Sequence, residues 1–89
     1  MNRNHMVLFL AVAEAGGFSR AAEKLMIAQP GVSSQVAELE HALQVKLFER
    51  LPRGVRLTEA GELLAGYARR IAGIETDAEQ ALRDLRGIA

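Results

Sequence analysis

A glutamine, a proline and two serines stand at the head of a periodic apolar segment, Gln29-Pro30-Gly31-Val32-Ser33-Ser34. The chemistry these residues offer is hydrogen bonding. A carboxamide supplies an acceptor and two N–H donors, and a hydroxyl serves in either role. Val32, Val36, Leu39 and Leu43 follow on one face of a helix. Pro30, Ser33, Ser34 and Ala37 lie toward the other side, all small and uncharged. A helix that only had to be soluble would usually spend that face on Lys, Glu or Arg. This face is kept low, as a surface that something else must approach closely.

A second group is cationic. Arg50, Arg53 and Arg56 surround Leu51-Pro52-Arg53-Gly54, where proline second and glycine fourth fit a type I turn. Guanidinium groups presented on such a tip suit anions. Covalent chemistry has no comparable inventory. There is no cysteine, the two histidines (His5 and His41) are far apart in sequence, and no glycine-rich phosphate loop follows a strand. Acidic residues are scattered along helices, where solvated faces accommodate them. No catalytic residue, metal ligand or cofactor site is assigned, and both histidines read as solvated surface residues. Arg56 and Lys46 read as charges that guard a strand edge against pairing.

Composition sets the frame. The 89 residues make one small domain, 49 % hydrophobic and 25 % charged. Absence of cysteine rules out a disulfide framework and fits a cytoplasmic location. No apolar run is long enough for a membrane span, and the N-terminus lacks a secretory pattern. Net charge is zero, but residues 1–57 hold seven Lys/Arg against five acids, whereas residues 58–89 hold four against six.

The elements that must position the polar head are helical. The spacing predicts a first helix over 4–15 with Met6, Phe9, Leu10 and Ala13 inward, ended by Gly16-Gly17. Ser19 is the expected N-cap of a short second helix ending near Leu25, with Ala21 and Ala22 admitting a close neighbour. Met26-Ile27-Ala28 forms a tight turn with Ile27 as its apolar plug. Pro30 suits the first turn of the third helix, which ends near Leu43 or Gln44. Residues 45–50 and 55–57 are expected to pair as a hairpin, and Thr58 to cap a fourth helix.

In that fourth helix Leu64, Tyr67, Ile71, Ile74, Ala78, Ala81, Leu85 and Ile88 alternate in steps of three and four, a heptad seam. A helix over 58–88 would be roughly 46 Å long at 1.5 Å per residue, longer than the small globule it leaves. The seam therefore needs a partner helix, and Gly61, Gly66 and Gly73 weaken the helix on its own. The fold expected is mainly α: a winged helix-turn-helix of three helices and a small β-hairpin wing over 1–57, followed by a long dimerisation helix over 58–89.

In a winged helix-turn-helix the third helix enters the DNA major groove by its N-terminal residues while the second crosses the backbone. That explains the small residues at the head of the third helix. Gln29 can pair with adenine, and serine hydroxyls with most bases.

The fragments F-L-A-V-A-E-A-G-G-F-S-R-A-A-E-K-L (9–25), Q-P-G-V-S-S-Q-V-A-E-L-E (29–40), L-F-E-R (47–50) and R-G-V-R-L-T-E-A-G (53–61) occur in order and without gaps. In these the chain resembles the LysR-type transcriptional regulators. The resemblance implies a bacterial regulator that binds promoter DNA as a homodimer through its linker helix; a symmetric dimer in turn predicts an inverted-repeat site. It also implies a larger C-terminal domain that senses a small-molecule effector. Family members are considerably longer, so the 89 residues are expected to be the DNA-binding part, without that domain. Carried over by position, Gln29, Pro30 and Ser33 would face bases, with Ser34 beside them on the DNA-binding helix head, and Arg53 would approach the minor groove. Ser19, Arg20 and Arg50 would lie near phosphate.

Two departures from the family pattern stand out. Ser34 sits where many relatives carry arginine, and Ala28 where Ser or Thr is common. Between Ala28 and Val45 there is no Lys or Arg, so electrostatic attraction must come from Arg20, Lys24, the wing and the N-terminus. The other reading is a helix-turn-helix fold used only for protein association. It gives no reason for the wing arginine or the uncharged helix head.

Overall fold

The computed structural model describes residues 1–87. Four helices and one hairpin follow in the order α1 (Arg3–Ala15), α2 (Phe18–Leu25), α3 (Gln29–Leu43), β1 (Phe48–Arg50), β2 (Val55–Leu57) and α4 (Glu59–Gly87). The strands are antiparallel, with Phe48 opposite Leu57, Glu49 opposite Arg56 and Arg50 opposite Val55.

The core forms where α1, α2 and α3 cross beneath the hairpin. Phe9, Val12, Val32, Val36, Leu39 and Leu47 are its most buried large side chains. Phe48 brings the wing into this core. Its ring lies 5.4 Å from that of Phe9 and meets Phe18 edge-on at 5.7 Å, the geometry that aromatic quadrupoles favour. Ala21 and Ala22 are buried, as small residues at a helix crossing should be. From α4, Gly61, Ala65 and Ala68 complete the packing.

Helix boundaries follow local chemistry. The Asn2 side chain accepts from His5 N–H and opens α1; Gly16, at φ 77°, closes it by donating to the Val12 carbonyl. The α2 and α3 helices also end in the left-handed region, but on non-glycine residues, Met26 and Gln44. Ile27 N–H then reaches the Ala22 carbonyl and Val45 N–H the Glu40 carbonyl, the bond pattern of a Schellman stop. Thr58 caps α4 as expected: its hydroxyl accepts from Gly61 N–H and donates to the Lys46 carbonyl.

Several expectations need correction. Ser19 is not a cap. Phe18 is drawn into the helix by its contact with Phe48, so Gly17 takes the cap position without a side-chain bond and Ser19 lies inside the first turn. Ile27 is 45 % exposed, because the Schellman stop turns it outward and leaves Leu25 half-buried instead. His5 is only 5 % exposed, with Nε2 3.4 Å from Glu38 Oε1. The buried face of α1 includes His5, Leu8 and Val12, wider than the expected stripe. The first strand is shorter than 45–50, because the backbone of Val45 to Leu47 is engaged elsewhere. Leu47 N–H donates to the Glu40 carboxylate at 2.7 Å, and the Leu47 carbonyl accepts from Thr58 N–H at 3.0 Å.

At the wing tip Leu51 N–H donates to the Gly54 carbonyl at 3.0 Å. Among the described residues the reverse bond of a type I turn is not formed. Gly54, at φ 79°, lies so close to the Gly16 carbonyl that no Cβ would fit between them, and Val55 N–H donates to that same carbonyl at 2.9 Å. The wing is therefore tied to the corner between α1 and α2.

Candidate nucleic-acid interface

Three elements converge on one cleft of about 350 Å³: the start of α2, the head of α3 and the wing. Ser19, Arg20, Gln29, Arg50 and Arg53 line it together with the Gly16-Gly17 corner. Each helix here starts without a side-chain cap, from Gly17 and from Ala28. At α2 the first-turn N–H groups therefore lack a cap acceptor, a setting that favours anions; at α3 Pro30 has no N–H and the Gly31 N–H donates to the Ala28 carbonyl at 3.0 Å.

The cations are held in different ways. Arg50 lies with its guanidinium carbon 4.9 Å from the centre of the Phe18 ring, a cation–π contact that fixes the side chain while leaving its N–H groups free. Arg53 projects from the exposed tip and Arg20 from the first turn of α2. Among the described residues none of these three has a carboxylate within ion-pair distance. Arg56, by contrast, pairs with Glu49 directly across the hairpin, and Lys46 stands 3.9 Å from Glu40. The wing thus separates its charges into paired and unpaired ones.

At the head of α3, Gln29 Nε2 donates to Ser33 Oγ at 2.6 Å, one helical turn on. Ser33 also lines a neighbouring groove that includes Phe48 and Arg50. Pro30, Gly31 and Ser34 are exposed on the same helix end, outside the cleft itself. A Cβ at Gly31 would meet nothing, so the head of the helix is open to a close partner. Reasoning from sequence missed the Phe18 platform under Arg50 and the bare start of α2. The adjacent glycines before Phe18 were the available signal for both.

The expected dimerisation residues divide. Leu64 is half-buried against its own core, and Ile71 borders an apolar groove with Met6, Val7 and Leu10 of α1. Tyr67, Ile74, Ala78, Ala81 and Leu85 are exposed, Ile74 and Leu85 at 68 % and 76 %. Leu63 and Leu82, which the heptad reading omitted, are exposed as well. Ile88 lies outside the described residues. At the base of this arm, Arg3 makes two 2.8 Å bonds to the Glu75 carboxylate, joining α1 to α4. No helix among the described residues is long and apolar enough to cross a membrane.

Comparison with known proteins converges. The family model described as bacterial regulatory helix-turn-helix protein, lysR family, matches residues 3–62. An uncharacterized HTH-type transcriptional regulator of Azotobacter vinelandii, from the ibpB-leuC intergenic region, is 53 % identical over 79 residues, 89 % of this chain and 55 % of that protein. The RuBisCO operon transcriptional regulator of Allochromatium vinosum is 43 % identical over 82 residues, 92 % of this chain and 27 % of that one. The chain thus spans about half the length of the first relative and about a quarter of the second. Among solved structures, the CbnR DBD–DNA complex superimposes with a TM-score of 0.88 at 37 % identity, covering 97 % of this chain and 99 % of that one. Full-length LysG of Corynebacterium glutamicum with bound effector Arg gives 0.90 at 28 %, covering all of this chain and 30 % of LysG.

Proposed function

Because the chain belongs to the LysR family of bacterial helix-turn-helix regulators, we propose that it is the DNA-binding part of a transcriptional regulator, reading double-stranded promoter DNA as a homodimer in the cytoplasm. Residues 1–57 act as the reading head and residues 58–89 as the dimerisation arm. In this reading Gln29, Pro30 and Ser34 face base edges in the major groove, with Ser33 bonded to Gln29 beside them. Arg53 enters the minor groove beside it, while Ser19, Arg20, Arg50 and the bare start of α2 take up phosphate. The exposed face of α4, from Tyr67 to Leu85, pairs with the same face of a second copy. A two-fold dimer then calls for an inverted-repeat site. The small-molecule effector of the whole protein binds outside these 89 residues.

The observation that supports this best is the convergence of Ser19, Arg20, Gln29, Arg50 and Arg53 on one cleft, from three separate elements. A module used only for association would present the same α4 face but has no use for three unpaired guanidinium groups beside an uncharged helix head.

Salt dependence tests it. With few cations on the face, each phosphate contact carries a large share of the attraction. Arg53→Ala is expected to weaken binding to every sequence and to lower the log–log salt slope by about 0.9. An unchanged slope removes the wing from the interface. Selection from random duplexes is expected to return an inverted repeat; no enrichment even at low salt would leave association as the function.

A further inference from the structure

We infer that Ser33 is a positioning residue: its hydroxyl holds the Gln29 carboxamide in the orientation that reads an adenine, and Ser33 itself contacts no base. The inference rests on the reading of α3 as the major-groove element.

Gln29 is the first residue of α3 and Ser33 lies one turn later, with Nε2 2.6 Å from Oγ. Both side chains are half-buried. A free glutamine has three rotatable bonds, and fixing it at an interface is costly. The bond to Ser33 removes much of that freedom before any partner arrives. It also orients the group. With the nitrogen turned toward Ser33, one N–H is consumed, and the second N–H remains beside Oε1. One donor next to one acceptor is the pattern that matches N7 and the N6 amino group of adenine.

No neighbour duplicates this capacity. Pro30, Gly31 and Val32 offer no polar side chain, Ser34 offers a single hydroxyl, and no Lys or Arg occurs between Ala28 and Val45. Discrimination at the helix head therefore falls on Gln29, and its quality on what holds Gln29 still.

The experiment is selection from random duplexes, scored at each position, with the wild-type chain, Gln29→Ala, Ser33→Ala, Ser33→Thr and the double alanine variant. Gln29→Ala is expected to erase an adenine preference at one base pair of each half-site. Ser33→Ala should reduce the preference at that same pair by about 2- to 12-fold, the range for immobilising one flexible side chain. It should leave other positions and the affinity for random duplex unchanged. Ser33→Thr retains the hydroxyl and should restore the preference. In the Gln29→Ala background Ser33→Ala should add nothing. Alanine favours helix over serine, so thermal unfolding at or above the wild-type temperature shows that reading, not folding, was lost.

Three outcomes overturn the inference: Ser33→Ala changing a different base pair, sharpening the adenine preference, or changing nothing. A wild-type chain that enriches no sequence overturns it at a different point, because the DNA reading itself then fails.

Discussion

The two halves of α4 share one helix and one apolar period, yet they meet their surroundings oppositely. In the near half the inward residues are small: Gly61, Ala65 and Ala68 are buried against the rest of the chain. Gly61 lies so close to the Leu47 carbonyl that a Cβ would collide with it. In the far half the residues on show are large: Ile74, Leu82 and Leu85 are each about two-thirds exposed or more. The difference lies in who supplies the neighbour. Small residues mark the stretch that must approach its own backbone, and large ones the stretch whose covering surface comes from elsewhere. Isolated surface leucines are ordinary, but several large apolar residues exposed along one helix, with alanines between them, mark an interaction face.

The contrast can be broken most forcefully at the far half. Ile74→Ser combined with Leu85→Ser removes two apolar anchors from each copy. At the low end of burial values, about 1.5 kcal/mol for each of the four side chains, the dimer should lose about 6 kcal/mol, more than about ten-thousandfold in Kd. Sedimentation equilibrium measures this, and an unchanged Kd would deny the far half its role. At the near half Gly61→Ala should cost about 2–3 kcal/mol in denaturant unfolding, the scale of core overpacking. Gly66→Ala and Gly73→Ala face open space and should stabilise by up to about 1 kcal/mol each, as alanine does in a helix. If all three moved together, the near half would not be distinguished by close approach.

The smallest effect sits at the junction of the halves. The hydrogen bonds from Arg3 hold the Glu75 carboxyl below its ordinary pKa; desolvation opposes them, and the Arg3 charge adds a smaller lowering effect. A lowered carboxylate pKa contributes stability above the unfolded value and loses it as pH falls through the folded one. Glu75→Gln should therefore be slightly less stable than wild type at neutral pH and indistinguishable from it in acid. Because the pair is exposed, added salt should shrink the difference as well.

Much of this architecture was legible in the residues. Gly16-Gly17, Pro30 and the Val32–Val36–Leu39 stripe marked the helix ends and the face of α3, and Thr58 was a readable cap. The cleft was legible in part. Ser19, Arg20, Gln29, Arg50 and Arg53 could be named from the resemblance, but their convergence depends on the tie between the wing and the Gly16 carbonyl, a contact between residues far apart in sequence. What failed to show was set by tertiary contact. His5 looks polar, yet it lies on the buried face of α1 toward α3. Ile27 looks apolar, yet a left-handed Met26 turns it outward. Ser19 is a good capping residue by type, displaced because Phe18 packs into the core. Leu63 and Leu82 fall outside a strict heptad; Leu63 lies on the outer side of the packed half and Leu82 in the far half.

The bond from Val55 to the Gly16 carbonyl, with Gly54 seated against it, makes the molecule a fixed gauge. Wing tip and helix head are the two jaws of a caliper, and their gap is set when the chain folds. In the proposed reading a duplex meets jaws already set by the fold. Differences between sequences then appear mainly in how long a complex lasts. A side chain at Gly54 would shift one jaw against the other, and the proposed contacts at both grooves would move with it.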